Sequence, residues 1–395
     1  MKHVAPLFLL ALLACRDSTV SVAPSAMLPI LPSTEAASGC IGPDQTFTVG
    51  QTASAIPLAT LAIGPFSQVT AARGSELLFA TGANATVVAI DLSGPGVVET
   101  ELVSAGTVAA LYAQPAIGIS DPPVLSGLTV LDATSLLVIE HTANVILRVD
   151  RTTPDTVTLW AGLPSTVPGF ADGFALQVGT EPLRWARSAS GARCQPVGTG
   201  REAAAVFVAD SGNHALRRIR GAAQVETIAG SGTPFFGEGE LGDTFFDTPA
   251  GLAIACNDSL YLTEAGGAVA GNRVRRLSVG APNFFGFSGF QGDSQTLVGD
   301  GTETTSGGAA GVALAARPYS PVATSAGDVY WVDLESGVLR RLRDDVADCP
   351  LHSDCIAAVL SPDFTPGGLT SLVQTTSGVL YALDAAAGAL LRVTP

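Results

Sequence analysis

A short phrase recurs along this chain: an apolar strand ending in an acid, a turn, then a strand of apolar residues and arginine. Its clearest copy is Val206-Phe-Val-Ala-Asp-Ser-Gly-Asn-His-Ala-Leu-Arg-Arg-Ile-Arg220, followed by Val225-Glu-Thr-Ile-Ala-Gly-Ser-Gly232. The acid closes the first strand at Glu140, Asp210, Glu264, Asp333 and Asp384, and Ala80 stands in its place in an N-terminal copy. The second strand recurs with Arg148, Arg218, Arg276, Arg341 and Arg392. A third strand ends in glycine at Gly162, Gly230 and Gly299, and a fourth, of the type 249–254, precedes the acid-ended strand. Such a repeat constrains the fold before any local reading does. It describes four short strands, written six times.

Radial repetition of four-stranded antiparallel units is the β-propeller answer to exposed sheet edges. The five acids are spaced 51 to 70 residues apart, more than the roughly 40–50 of a compact blade, so several loops carry insertions, chiefly 163–200, 281–310 and 344–356. The sixth repeat reaches Pro395 one strand short. Gln45-Thr-Phe-Thr-Val-Gly50 has the same apolar-then-Gly ending and is expected to supply that strand and close the ring. The expected fold is therefore all-β, a six-bladed propeller over residues 40–395. Composition agrees: 47% apolar and 14% charged residues, 44 Gly and 25 Pro suit many short strands joined by tight turns. No run after the leader reaches the ~18 apolar residues of a membrane-spanning helix.

The stretch Asp210-Ser-Gly-Asn-His-Ala-Leu-Arg-Arg-Ile, with Thr227-Ile-Ala-Gly-Ser-Gly, resembles the NHL repeat, although the leucine is displaced by one position after Asn213-His214-Ala215. The linker from Phe236-Gly-Glu-Gly239 to Asp247-Thr-Pro-Ala-Gly-Leu252 resembles those of bacterial NHL proteins. The resemblance covers about residues 60–395, strongest around Asp210. It implies a six-bladed propeller used mostly as a binding platform, and no single activity, since fold and function separate readily.

The first residues read as an export signal: a basic start with Lys2, the apolar core Leu7–Leu13, then Leu12-Leu-Ala-Cys15, which resembles a bacterial lipobox. Residues 1–14 are the expected signal peptide, and Cys15 the expected lipid attachment site. Residues 16–39, rich in Ser, Thr, Ala and Pro, read as a flexible tether reaching about 25–30 Å. Acyl chains hold a protein stably on a bilayer when two or more are present. Arg16 follows the cysteine in place of the Asp of inner-membrane retention, which favours the outer membrane in a Gram-negative cell.

Net charge is −15, and the only lysine is Lys2. A nucleic-acid partner needs a basic face; arginines here are spread one or two per repeat, so nucleic acid is set aside, as is lysine Schiff-base chemistry. An exported chain can form disulfides. Cys349 and Cys355 flank a compact loop and form the first expected pair. Cys194 and Cys256, before consecutive acid-ended strands, form a second, which leaves Cys40 odd. A zinc site at Cys349, His352 and Cys355 has only three close ligands. The acidic stretch 238–247 offers carboxylates to Ca²⁺ without a calcium-loop spacing; no other cofactor is implied.

His141 and His214 occupy different repeat positions and read as turn residues. The repeating acids and arginines are expected to be structural, since a catalytic group is needed once. Asp210 is expected to cap its turn, and the arginines to pair with such acids or cover neighbouring blades. Gly230-Ser-Gly and Gly237–Asp243 lack the helix and Lys-Ser/Thr of a phosphate cradle. The run Phe284, Phe285, Phe287 and Phe290, inside an insertion, is the best candidate for a partner surface, the alternative being packing between blades. These residues point to a monomeric, non-catalytic binding module at the cell envelope, its protein, small-molecule or glycan ligand open. The competing reading is a lactonase-like hydrolase or lyase, whose metal would sit in the central channel on Glu, Asn and Asp residues from different blades.

Overall fold

The computed structural model describes residues 54–60, 68–72, 75–112, 119–166, 169–174, 188–191, 206–220, 224–254, 259–266, 271–279, 292–303, 315–323, 328–343, 356–359, 368–375 and 377–394. All lie in one compact unit, Leu31–Pro395. The described chain is almost wholly β, and its antiparallel strands form six sheets. From innermost strand outward, sheet one holds Val69–Ala71, Leu77–Thr81, Val87–Asp91 and Val98–Val103; sheet two holds Leu125–Asp132, Ser135–Glu140, Val145–Asp150 and Val157–Ala161. Sheet three holds Ser188–Gly191, Val206–Asp210, Ala215–Arg220 and Gln224–Gly230; sheet four holds Pro249–Ile254, Ser259–Glu264, Arg273–Ser278 and Asp293–Val298. Sheet five holds Pro318–Ala323, Asp328–Asp333, Val338–Arg343 and Ile356–Val359. In sheet six, Leu369–Gln374, Leu380–Asp384 and Ala389–Thr394 are joined by an N-terminal strand, Ser54–Thr60.

The innermost strand of each sheet lies against that of the next, and the sixth against the first. Between neighbouring sheets sit six separate apolar clusters, such as Leu137, Ile139, Val206 and Val208 between sheets two and three, and Tyr261, Val274, Val329 and Trp331 between four and five. Strands buried on both faces need apolar residues at nearly every position, which is what the acid-ended strands have.

The strand that completes sheet six is Ser54–Thr60, paired with Thr394 back to Ala389, and not 45–50, which lies outside the described residues. It carries Pro57 beside a register shift, tolerable on an outermost strand. Ala80 is opposite Val69, the first residue of its innermost strand, as Glu140 is opposite Leu125 and Glu264 opposite Pro249. It is thus the acid-less member of the series. Thr81 compensates: its hydroxyl accepts the Gln68 backbone N–H at 2.9 Å, as Glu140 Oε1 accepts that of Val124 at 2.9 Å.

The terminal glycines have a steric cause. The turn after each acid ends in a left-handed residue: Asn144, His214, Asn272, Gly337 and Gly388. Its carbonyl approaches the end of the outer strand so closely that a Cβ on Gly162, Gly230 or Gly299 would lie 2.8, 2.2 or 2.0 Å from that oxygen, and all three glycines have positive φ. Among the described residues one α-helix, Thr107–Tyr112, links sheets one and two; six residues are too few for the helical periodicity a sequence would display.

Candidate functional site

The acids at the strand ends are buried, and each faces the preceding sheet. Asp333 Oδ2 takes Arg340 Nη1 at 2.8 Å and Oδ1 takes Trp331 Nε1 at 2.9 Å. Asp210 takes Asn213 Nδ2 at 2.9 Å and Arg217 Nη1 at 3.3 Å; its side chain does not cap the short helical turn that follows. Glu264 has Arg275 Nη1 at 3.7 Å. The acid-pairing arginines are therefore 217, 275 and 340, each one residue before those expected. Side chains alternate across a strand: Asp210 is opposite Ala215, so Ala215 and Arg217 share its side while Arg218 faces away, to Glu226 at 2.8 Å. Arg148 and Arg341 likewise meet Asp132 and Asp328. Leu147 and Leu391 fill the equivalent places in sheets two and six.

Arg217 and Arg275 do a second job that the repeat did not disclose. The linkers entering sheets three and four carry the same short sequence, Pro168-Gly-Phe170-Ala-Asp172-Gly173 and Pro234-Phe-Phe236-Gly-Glu238-Gly239. Each lays an extra two-residue strand, Gly173–Phe174 or Gly239–Glu240, on the outer edge of its sheet. Arg217 stacks on Phe170 at 5.0 Å and donates to Ala171 O at 2.6 Å and Asp172 Oδ1 at 3.1 Å. Arg275 stacks on Phe236 at 5.5 Å and donates to Gly237 O at 2.6 Å. Thr227 binds Asp172 and Thr296 binds Glu238 from equivalent positions. Two matched arms are thus latched by two buried guanidinium groups.

Beneath the second arm, Glu264 Oε1 accepts the Asp247 N–H at 2.6 Å, but buried Oε2 has no hydrogen bond. Burial pushes this carboxyl up to about 7, against the pull of Arg275. Burial also raises Glu140, although the N–H groups of Val124, Ala143 and Thr142 pull it down. Burial lowers Arg217 and Arg275, against the pull of their acids. His214 is the left-handed turn residue of sheet three, and its Nδ1 accepts the Thr248 N–H at 3.1 Å; it ties that turn to the entry of sheet four.

The central cavity is lined by the innermost strands, through Gln68, Thr70, Thr129, Ser320 and Ser371 among apolar residues such as Leu128, Ala253 and Val322. No described lining residue is a carboxylate. Water centres have about 50 Å³ there, room for a few molecules. Its hydroxyls tie the sheets together: Leu372 N–H donates to Ser320 Oγ at 2.6 Å and Val69 N–H to Ser371 Oγ at 3.1 Å. Among the described residues no three His, Cys, Asp or Glu side chains gather as metal ligands. In the acidic stretch, Glu238 holds the Thr296 N–H and buried Asp247 holds the Thr248 hydroxyl, while Glu240 and Asp243 face solvent.

Cys15, Cys40, Cys194, Cys256, Cys349, His352 and Cys355, and Phe284, Phe285, Phe287 and Phe290, lie outside the described residues. The exposed aromatics that are described sit on the two arms instead: Phe170 at 41% and Phe235 at 55%. The doubled Pro-x-Phe-x-acid-Gly was the available signal.

Sheets of this kind, packed around their innermost strands, define a β-propeller, and the comparisons with known proteins agree. A gluconolactonase from Xanthomonas campestris superposes with a TM-score of 0.54 at 12% identity, over 93% of this chain and 98% of its own. An auxiliary nutrient binding protein from Bacteroides thetaiotaomicron superposes at 0.52 and 9% identity, over 90% and 75%. A Bacteroides thetaiotaomicron protein of unknown function is matched over 67% of this chain and only 55% of its own, at 0.46 and 13%. At such identities the likeness is one of fold alone. No family model and no curated protein matches the sequence.

Proposed function

We propose that the chain is an exported, lipid-anchored, six-bladed NHL-like propeller that acts as a non-catalytic binding module at the cell envelope, in the outer membrane if the cell is Gram-negative. The observation that carries the non-catalytic part is the central cavity. Its described lining offers hydroxyls and one amide, with no carboxylate or imidazole to hold a catalytic ion. The lipobox-like Leu12–Cys15 and the tether support the anchor. No cofactor forms part of this reading.

Two measurements test it. Purified protein should not hydrolyse gluconolactone above background with or without added Ca²⁺ or Zn²⁺; turnover abolished by a cavity substitution such as Thr129→Val would establish the enzyme reading instead. Radiolabelled palmitate should enter the wild-type protein in an expressing bacterium and not Cys15→Ser. Equal labelling would refute the anchor.

A further inference from the structure

The two arms leave an aromatic and acidic surface that no apolar cluster absorbs. Among the described residues only three large hydrophobic side chains are strongly exposed, and two of them, Phe170 and Phe235, are on the arms. The Phe170 ring lies against Gly232, 3.2 Å from where a Cβ would be, so the first arm abuts the start of the second. Phe235 packs edge-on against Phe245 with centroids 5.7 Å apart. Exposed Asp172, Glu238, Glu240 and Asp243 stand on the same segments. Isolated exposed apolar residues need no explanation, but aromatics gathered on a pre-organised, polar-rimmed surface mark an interaction site.

The molecule itself shows what such a surface prefers. On their inner side the arms hold guanidinium groups: Arg217 on Phe170 with Asp172 as its acid, and Arg275 on Phe236 with Glu238 nearby in charge. Arg273 stacks on the same Phe236 at 4.1 Å. An aromatic face beside a carboxylate suits guanidinium in particular, because it is planar, weakly hydrated and always charged. The outer side repeats those elements, and among the described residues no arginine stacks on Phe235. With a net charge of −15, the protein also attracts cationic partners over distance.

We propose that the arm surface around Phe170, Phe235 and Phe245 binds a basic peptide segment by its arginine side chains, stacked on the rings and paired with Asp172, Glu238 or Asp243. This rests on the binding-module reading and names its partner chemistry. The probe is a fluorescein-labelled Arg-Gly repeat peptide, titrated by anisotropy against the full chain. Phe235→Ser keeps the charge and removes one ring, so it should weaken binding roughly tenfold, as should Asp243→Arg. Glu99→Gln with Glu101→Gln, on the outer strand of sheet one, changes charge elsewhere and should leave affinity within roughly twofold. A Lys-Gly peptide should bind more weakly than its Arg counterpart. Circular dichroism checks that each variant is folded. Equal loss in the Phe235 and Glu99/Glu101 variants would reduce the effect to bulk charge and overturn the proposal. So would capture of a glycan that competes at Phe235. No binding of the Arg peptide would also overturn it, while the lactone and palmitate measurements would still decide the wider reading.

Discussion

Glu264 offers the sharpest test of the energetics, because its carboxyl is buried between sheets three and four with one oxygen lacking a hydrogen bond. The charged groups around it are Arg275 and Arg273 from its own sheet and Asp247 from the linker; Glu264 is held up to about 7 from an ordinary 4.5. An acid raised in the folded state keeps its proton where the unfolded chain has lost it. Its contribution is therefore complete below pH 4.5 and falls as pH rises to about 7. At 1.36 kcal/mol per pH unit, the loss across that window is roughly 3 kcal/mol. Glu264→Gln keeps the acceptor for Asp247 N–H and cannot titrate, so it lacks this decline. Its stability relative to wild type should be lower at acidic pH and recover by roughly 3 kcal/mol above neutrality. Urea unfolding at closely spaced pH values measures both proteins, and most other titrations cancel in the difference. A flat difference would refute the argument. A difference of opposite slope would mean that Arg275 outweighs burial and holds the carboxylate low.

Gly230→Ala places a methyl 2.2 Å from His214 O at φ +97 and should cost roughly 3–4 kcal/mol by chemical denaturation. Gly242→Ala, with nothing within 4 Å, should stay within about 0.5 kcal/mol. Arg340→Leu strands the buried Asp333 carboxylate and should cost about 3–5 kcal/mol, whereas Asp333→Leu combined with Arg340→Leu should cost less than either alone, as a thermal-melt double-mutant cycle would show. Phe235→Ser removes an exposed ring and should leave the melting temperature within a few degrees.

Much of the fold is legible because the repeat writes its own packing rules. The acids and the glycines mark the ends of strands, and those places follow from the letters alone; that the acids face a neighbouring sheet and the glycines meet a left-handed turn comes from the structure. What was not legible depended on orientation or on weak punctuation. Leu216-Arg217-Arg218 offers two guanidinium groups, and only the register with Asp210 tells which is buried. Ser54–Thr60 has neither the acid nor the glycine of the repeat and contains a proline, so 45–50 read as the more convincing strand. The aromatic arms carry a weaker signal in the letters than the longer phenylalanine run at 284–290. Their signal is a six-residue phrase present twice, too short to notice until both copies are seen gripping the same kind of arginine.

The pairing of Ser54–Thr60 with Ala389–Thr394 has a consequence for synthesis. A ribosome releases the partner of residue 54 only after almost everything between has emerged. Closing so long a span in an unfolded chain costs on the order of 5 kcal/mol in loop entropy, so the seam is best formed after the intervening sheets have packed and shortened the gap. Until then two strand edges and the apolar faces of sheets one and six stand open to other chains. The nascent protein is thus open to aggregation at least until Ala389–Thr394 has emerged and paired, and its survival in the cell depends on how quickly that one seam is sewn.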